Sequence, residues 1–133
     1  MSFASEIGTL LTSDSSLNEW CDGGIRNENL IDEWLSETDD NLWIVYGFNV
    51  EEQGNCLTNY NLYLNYSLNV VIIQRDHNDQ LDIIAKRLRD YLNSYTGGNI
   101  VDIVFIREGV PGLDQQKNVY SLPLEFLCIY CES

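Results

Sequence analysis

The chain has 133 residues, 44% hydrophobic and 21% charged, which suits one domain with its own core and argues against disorder. Its 21 acidic residues against 7 basic ones give a net charge of −14, which excludes unspecific DNA binding through a basic face and disfavours contact with anionic membrane.

Phe3, Ile7, Leu10 and Leu11 recur at helical spacing and predict a short amphipathic N-terminal helix that runs out at Thr12-Ser13-Asp14, with a further turn over Ser15 to Trp20. The first residues lack a basic n-region, and no segment approaches the roughly 18 apolar residues of a membrane span, so a soluble intracellular protein with no membrane partner is expected. Cys21-Asp22-Gly23-Gly24-Ile25 reads as a turn, because paired glycines admit positive φ. Asn29 to Ser36 reads as a brief helical segment, followed by an acidic turn over Glu37 to Asp40. Leu42 to Val50 is a strand around Trp43-Ile44-Val45-Tyr46, and the polar link from Glu51 to Asn59 makes a wide hairpin with the next strand.

From Tyr60 to Ile72 every even position is apolar, the period of a strand with one buried face. A strand of that length outruns a small core, so part of it is expected to project toward a neighbour. Leu81, Ile84, Ala85, Leu88, Tyr91, Leu92 and Tyr95 then form one helical stripe, with Asp76 to Asp79 as the expected cap and Gly97-Gly98 as the expected stop. Ile100 to Ile106 is apolar at nearly every position, which predicts a strand covered on both faces. Residues Gly109 to Asn118 read as a loop. Val119 to Cys131 forms the last strand, in which Pro123 implies an edge, a bulge or an early position.

The expected fold class is α+β: a four-stranded, mixed, mostly antiparallel sheet in α-β-β-α-β-β order, with one long helix packed on one face and a short N-terminal helix. A right-handed crossover through the long helix makes the strands at Tyr60 to Ile72 and at Ile100 parallel, leaving room for the last strand between them. One domain spans 1–133. One helix covers one face, so the other needs either the N-terminal helix or a neighbouring subunit.

No pattern for chemistry emerges. Neither glycine pair is followed by the helix and Lys-Ser/Thr of a phosphate loop, and the single His77 would have to be the only base. The carboxylates fit no calcium-loop spacing. Cys128 and Cys131 lie three apart in a strand and so face opposite ways, which favours structural thiols, together with Cys21 and Cys56, over a zinc site. No enzyme activity, catalytic residue, cofactor or metal is expected.

The order of motifs resembles the small tail-terminator, or tail-completion, proteins of long-tailed bacteriophages, which cap the tail tube and join it to the head. In that family an N-terminal helix leads to a Gly-Gly-Arg-Ile-like turn, matched by Gly23-Gly24-Ile25-Arg26, and to a strand matched by Trp43-Ile44-Val45-Tyr46. A long alternating strand then runs into a helix, here Leu68 to Gln74 and Asp79 to Leu92, and the final strand is matched by Tyr120-Ser121-Leu122-Pro123-Leu124-Glu125-Phe126. Pro123 and the exchanged order of Ile25 and Arg26 depart from the family pattern.

The resemblance implies a structural virion protein of the tail or neck, assembled in the host cytoplasm. It implies a six-membered homo-oligomeric ring whose partners are the tail tube protein and a head-side connector or completion protein. Six copies would carry 6 × −14 = −84 charges, so DNA would pass an acidic bore without specific binding. Alternatives are a neck or head-completion protein of the same region, or a small acidic binding module of the DNA-mimic inhibitor type. A metal-dependent hydrolase using carboxylates alone is the remaining one. Candidate subunit contacts are Val50, Leu57, Tyr60 and Leu62 near the hairpin, and Ile83, Arg87 and Asp90 opposite the apolar stripe of the helix.

Overall fold

The structure, a computed structural model, describes residues 2–27, 41–53 and 62–132, with the side chains of 51–53, 62 and 132 left aside. The segments expected at Asn29 to Ser36 and Glu37 to Asp40, and most of the Glu51 to Asn59 link, lie outside the described residues. The elements run α1 (Phe3–Thr12), α2 (Ser15–Trp20), β1 (Ile25–Asn27), β2 (Leu42–Gln53), β3 (Leu62–Arg75), α3 (Leu81–Leu92), β4 (Ile100–Glu108), β5 (Gly112–Asp114) and β6 (Val119–Glu132). Helices α1 and α2 start where short polar side chains cap them: Ser2 accepts from Ser5 N–H and Asp14 from Leu17 N–H.

The described strands form one sheet in the order β1-β2-β3-β6-β4, with β5 pairing separately to β6. It is a mixed sheet of six strands rather than the expected four. The two additions are three residues each and sit where the sequence shows only turn chemistry: β1 pairs parallel to β2 in the Gly-Gly turn, and β5 pairs antiparallel to β6 inside the Gly109 to Asn118 loop. Strands too short to show a period of two leave no trace in the sequence. The expected hairpin of β2 with β3 is present, and β6 lies between the parallel β3 and β4.

Strand β3 is paired on both sides, with β6 from Leu62↔Glu132 to Arg75↔Val119 and with β2 on the other flank, while Tyr60 and Asn61 at the start of the expected strand lie outside the described residues. Pro123 lies in an interior strand and costs no ladder bond. Gly109 N–H donates to the Pro123 carbonyl at 2.8 Å, so the backbone of Pro123 turns toward the gap between β4 and β5, away from β3.

The even phase of the sheet carries the core. Ile44, Leu68, Val70, Ile72, Leu122, Leu124, Phe126 and Cys128 are buried together with Leu81, Ile84, Ala85, Leu88 and Leu92 of α3 and with Phe3, Ile7, Leu10, Leu11 and Leu17 of α1 and α2. The three described helices therefore share one face, and the N-terminal helix does not cover the other. Gly8 permits the close approach of α1: a Cβ there would meet the Tyr46 hydroxyl at 2.8 Å. That contact justifies a mid-helix glycine that otherwise costs about 0.5–1 kcal/mol. Phe3 stacks on Tyr66 at 3.9 Å, and Tyr91 Oη donates to the Leu10 carbonyl, which ties α1 to both sheet and α3.

Helix α3 is shorter than its apolar stripe. Its start is Gln80, whose side chain makes no cap; the N–H of Gln80 instead donates to the Gln74 side chain, which also donates to Asp79. The residues Asp76 to Asp79 thus do not cap the helix, and the helix ends at Leu92, five residues before Gly97. Asn93 turns extended and Ser94 takes φ 68°, while Gly98, at φ 56°, serves the turn into β4.

Candidate subunit interface

On the odd phase the sheet is divided. Toward β2, Trp43, Val45, Ile73 and Val119 are buried as a second cluster, with Arg75 over the Trp43 ring at 5.1 Å. The middle of β3 is polar, with Asn65, Ser67 and Asn69. Toward β4 the odd phase is apolar again but open: Val104 is 38% exposed and Ile106 48%, beside half-buried Leu127 and Ile129. Strand β4 was expected to be covered on both faces. It is an outer strand of the sheet, and only Ile100 and Ile103 are buried.

A cleft of about 300 Å³ opens here, lined by Ser67, Ile106, Arg107, Glu125, Phe126 and Leu127. Arg107 Nε lies 2.6 Å from Glu125 Oε2, out of line for a hydrogen bond, and the Arg107 side chain is 72% exposed. Most of its donors therefore face outward. Val101, Val110 and Leu113 extend the same margin, so that among the described residues five of the eight exposed large hydrophobics fall between 101 and 113. This concentration is the main surface feature that the sequence reading missed. The signal was the continuous apolar run at Ile100 to Ile106, which marks a doubly apolar strand wherever it lies and does not say whether anything in the same chain covers it.

The outer backbone of β4 is already occupied. Asn93 Oδ1 accepts from Phe105 N–H at 2.9 Å, Ser94 N–H donates to the Ile103 carbonyl at 2.6 Å, and the Thr96 hydroxyl donates to the Val101 carbonyl. The chain leaving α3 thus closes the edge against strand addition by a neighbour. What this margin offers is side chains.

The residues singled out from sequence are not gathered in one place. Val50 is 54% exposed near the end of β2, beside the register shift between Val50 and Glu52. Leu57 and Tyr60 lie outside the described residues, and Leu62 begins β3 paired with Glu132. Ile83 is 58% exposed on α3, on the side opposite the buried stripe as the periodicity predicts, and Asp90 is exposed. Arg87, expected to set register with another subunit, is committed within the chain: its guanidinium donates twice to the carboxylate of Asp14, which is 5% exposed. That hydrogen bond is the main cause holding Asp14 below its ordinary pKa, against the opposing effect of burial.

Among the described residues no group of three or more His, Cys, Asp or Glu side chains is placed to hold a metal ion. Cys128 is buried in the main core and Cys131 is half-buried on the other phase, opposite ways as their spacing requires. No described helix is long and apolar enough to cross a membrane.

The architecture has a solved counterpart. The chain is similar in fold to a chain in the virion of a native gene transfer agent particle, with a TM-score of 0.70 over 98% of this chain and 100% of that one. Identity between the two is 12%, so the likeness is one of fold. No family model matches the sequence, and no curated protein does.

Proposed function

We propose that this chain is a structural protein of a phage-like virion, acting as a ring that caps the tail tube and joins it to the head. The observation that carries the reading is the end-to-end match of its fold to a chain of a gene transfer agent virion, with neither chain left over. The open apolar margin at β4 and β5 supports it, since a monomer gains nothing from exposing Val104, Ile106 and Val110 together. A net charge of −14 per copy suits a passage for DNA, because an acidic wall repels phosphate and leaves the duplex free to slide. In this reading the chain is not an enzyme and needs no cofactor; its partners are copies of itself, the tail tube and a head-side connector.

Negative-stain imaging of the purified protein, alone and with purified tail tubes, tests this. Rings with a central opening, seated on one end of the tubes, are expected. Compact single particles that leave tube ends bare would contradict it.

A further inference from the structure

The apolar stripe of α3 outlasts the helix. Leu81, Ile84, Ala85, Leu88, Leu92 and Tyr95 keep helical spacing, yet α3 ends at Leu92. Asn93 turns extended at φ −63°, ψ 128°, and Ser94 takes φ 68°, a left-handed conformation that a residue with a Cβ keeps only when its surroundings hold it there. Strand β4 is what holds it. Thr96 Oγ1 donates to the Val101 carbonyl, Ser94 N–H to the Ile103 carbonyl, and Phe105 N–H donates to Asn93 Oδ1, so the segment engages every second residue along the outer edge.

The same four residues have a second place to go. Wound into one more turn of α3, Tyr95 stays on the side of Leu88 and Leu92, while Asn93, Ser94 and Thr96 fall on the polar side and Ser94 loses its strain. Those three are exposed already, so the change buries no polar group. Gly97 and Gly98, the latter already left-handed at φ 56°, supply the stop and the change of direction that the longer helix needs. What the change gives up is three hydrogen bonds to β4, two of them made by exposed side chains. A segment held so lightly opens well before the core does.

We propose that residues 93–96 are a strap with two positions. Laid along β4 it closes the outer edge of the sheet; wound onto the end of α3 it opens that edge. The open edge presents the carbonyls of Val101 and Ile103 and the N–H of Phe105 in the alternation that an extended backbone pairs with, beside the exposed side chains of Val104 and Ile106. The strap thereby sets when the sheet can take a further strand. The inference concerns this chain's own residues and does not rest on the ring reading.

Amide hydrogen exchange read by NMR on the whole protein tests it, with the Phe105 amide compared with that of Leu88 in the core of α3. In the wild type Phe105 is expected to exchange ahead of Leu88. Ser94→Gly favours the left-handed position and disfavours helix, and Ser94→Ala does the reverse, so relative to Leu88 the Phe105 amide should exchange more slowly in the first and faster in the second, about tenfold apart. In Ser94→Ala the Cα chemical shifts of Tyr95 and Thr96 should also move toward helical values. Phe105 exchange that tracks Leu88 in all three proteins would overturn the proposal, because the strap then opens only when the whole fold does. Faster exchange in Ser94→Ala without a helical shift would overturn it as well, because the segment then frays and has no second position.

Discussion

At the scale of single residues, Asp14 does three jobs at once. Its carboxylate caps α2 through Leu17 N–H, receives both arms of Arg87 from α3, and is nearly out of solvent. Removing the cap in Asp14→Ala is expected to lower unfolding free energy by about 1–2 kcal/mol, measured by urea melts at pH 7. The pKa of Asp14 is lower in the fold than in the unfolded chain, so the unfolded state takes up the proton first as pH falls. Its stabilisation is whole at neutral pH and fades below about pH 4, where the gap in stability between wild type and Asp14→Asn should narrow. A gap that stays constant down to the acid transition would contradict the pairing. By contrast the Arg107–Glu125 pair is largely solvated on the arginine side, and such pairs contribute little. Burial, chiefly, pushes the thiols of Cys21 and Cys128 up to about 12, so neither offers thiolate at pH 8. Peptide mapping after iodoacetamide treatment of the native protein should find both unmodified; rapid labelling of Cys128 would mean that β6 is not interior.

At the scale of elements, periodicity settles what is long and regular. Helix α1 follows from Phe3, Ile7, Leu10 and Leu11, and the even phase of β3 is buried from Leu64 to Ile72. The phase of α3 places Ile83 outward, so Ile83→Asp should leave monomer stability within about 0.5 kcal/mol in a urea melt. Loss of several kcal/mol would put Ile83 in a core. What the sequence conceals is tertiary. The cap of α3 comes from Gln74 on β3, which no local pattern announces, and Pro123 is tolerated inside the sheet only because two other strands leave a gap beside it. The exposure of β4 depends on strand order, and the residues that guard its edge, Asn93 to Thr96, read in the sequence as the last turn of the helix before Gly97-Gly98. Asn93→Ala leaves Phe105 N–H open at that edge, and the variant is expected to scatter more light than wild type at matched concentration. Unchanged scattering would show that the guard is dispensable.

At the scale of the whole molecule, one face of the sheet is closed by three helices, and the other is closed at the β2 side and open at the β4 side. In the sequence, a long alternating strand and an isolated isoleucine point to contacts near the hairpin and on α3. Among the described residues, the fold instead puts most of the exposed large hydrophobics on the margin at 101–113, a grouping that appears only once β4 is known to be an outer strand. The proposed function therefore stands on self-assembly of an acidic subunit that uses this open margin. Light scattering coupled to size exclusion, run across a hundredfold range of concentration at moderate salt, measures this most directly. The expected mass at the upper end is six times 15.3 kDa, about 92 kDa, falling toward the monomer in Val104→Asp. A wild-type mass of one subunit throughout, with no dependence on concentration, would contradict it.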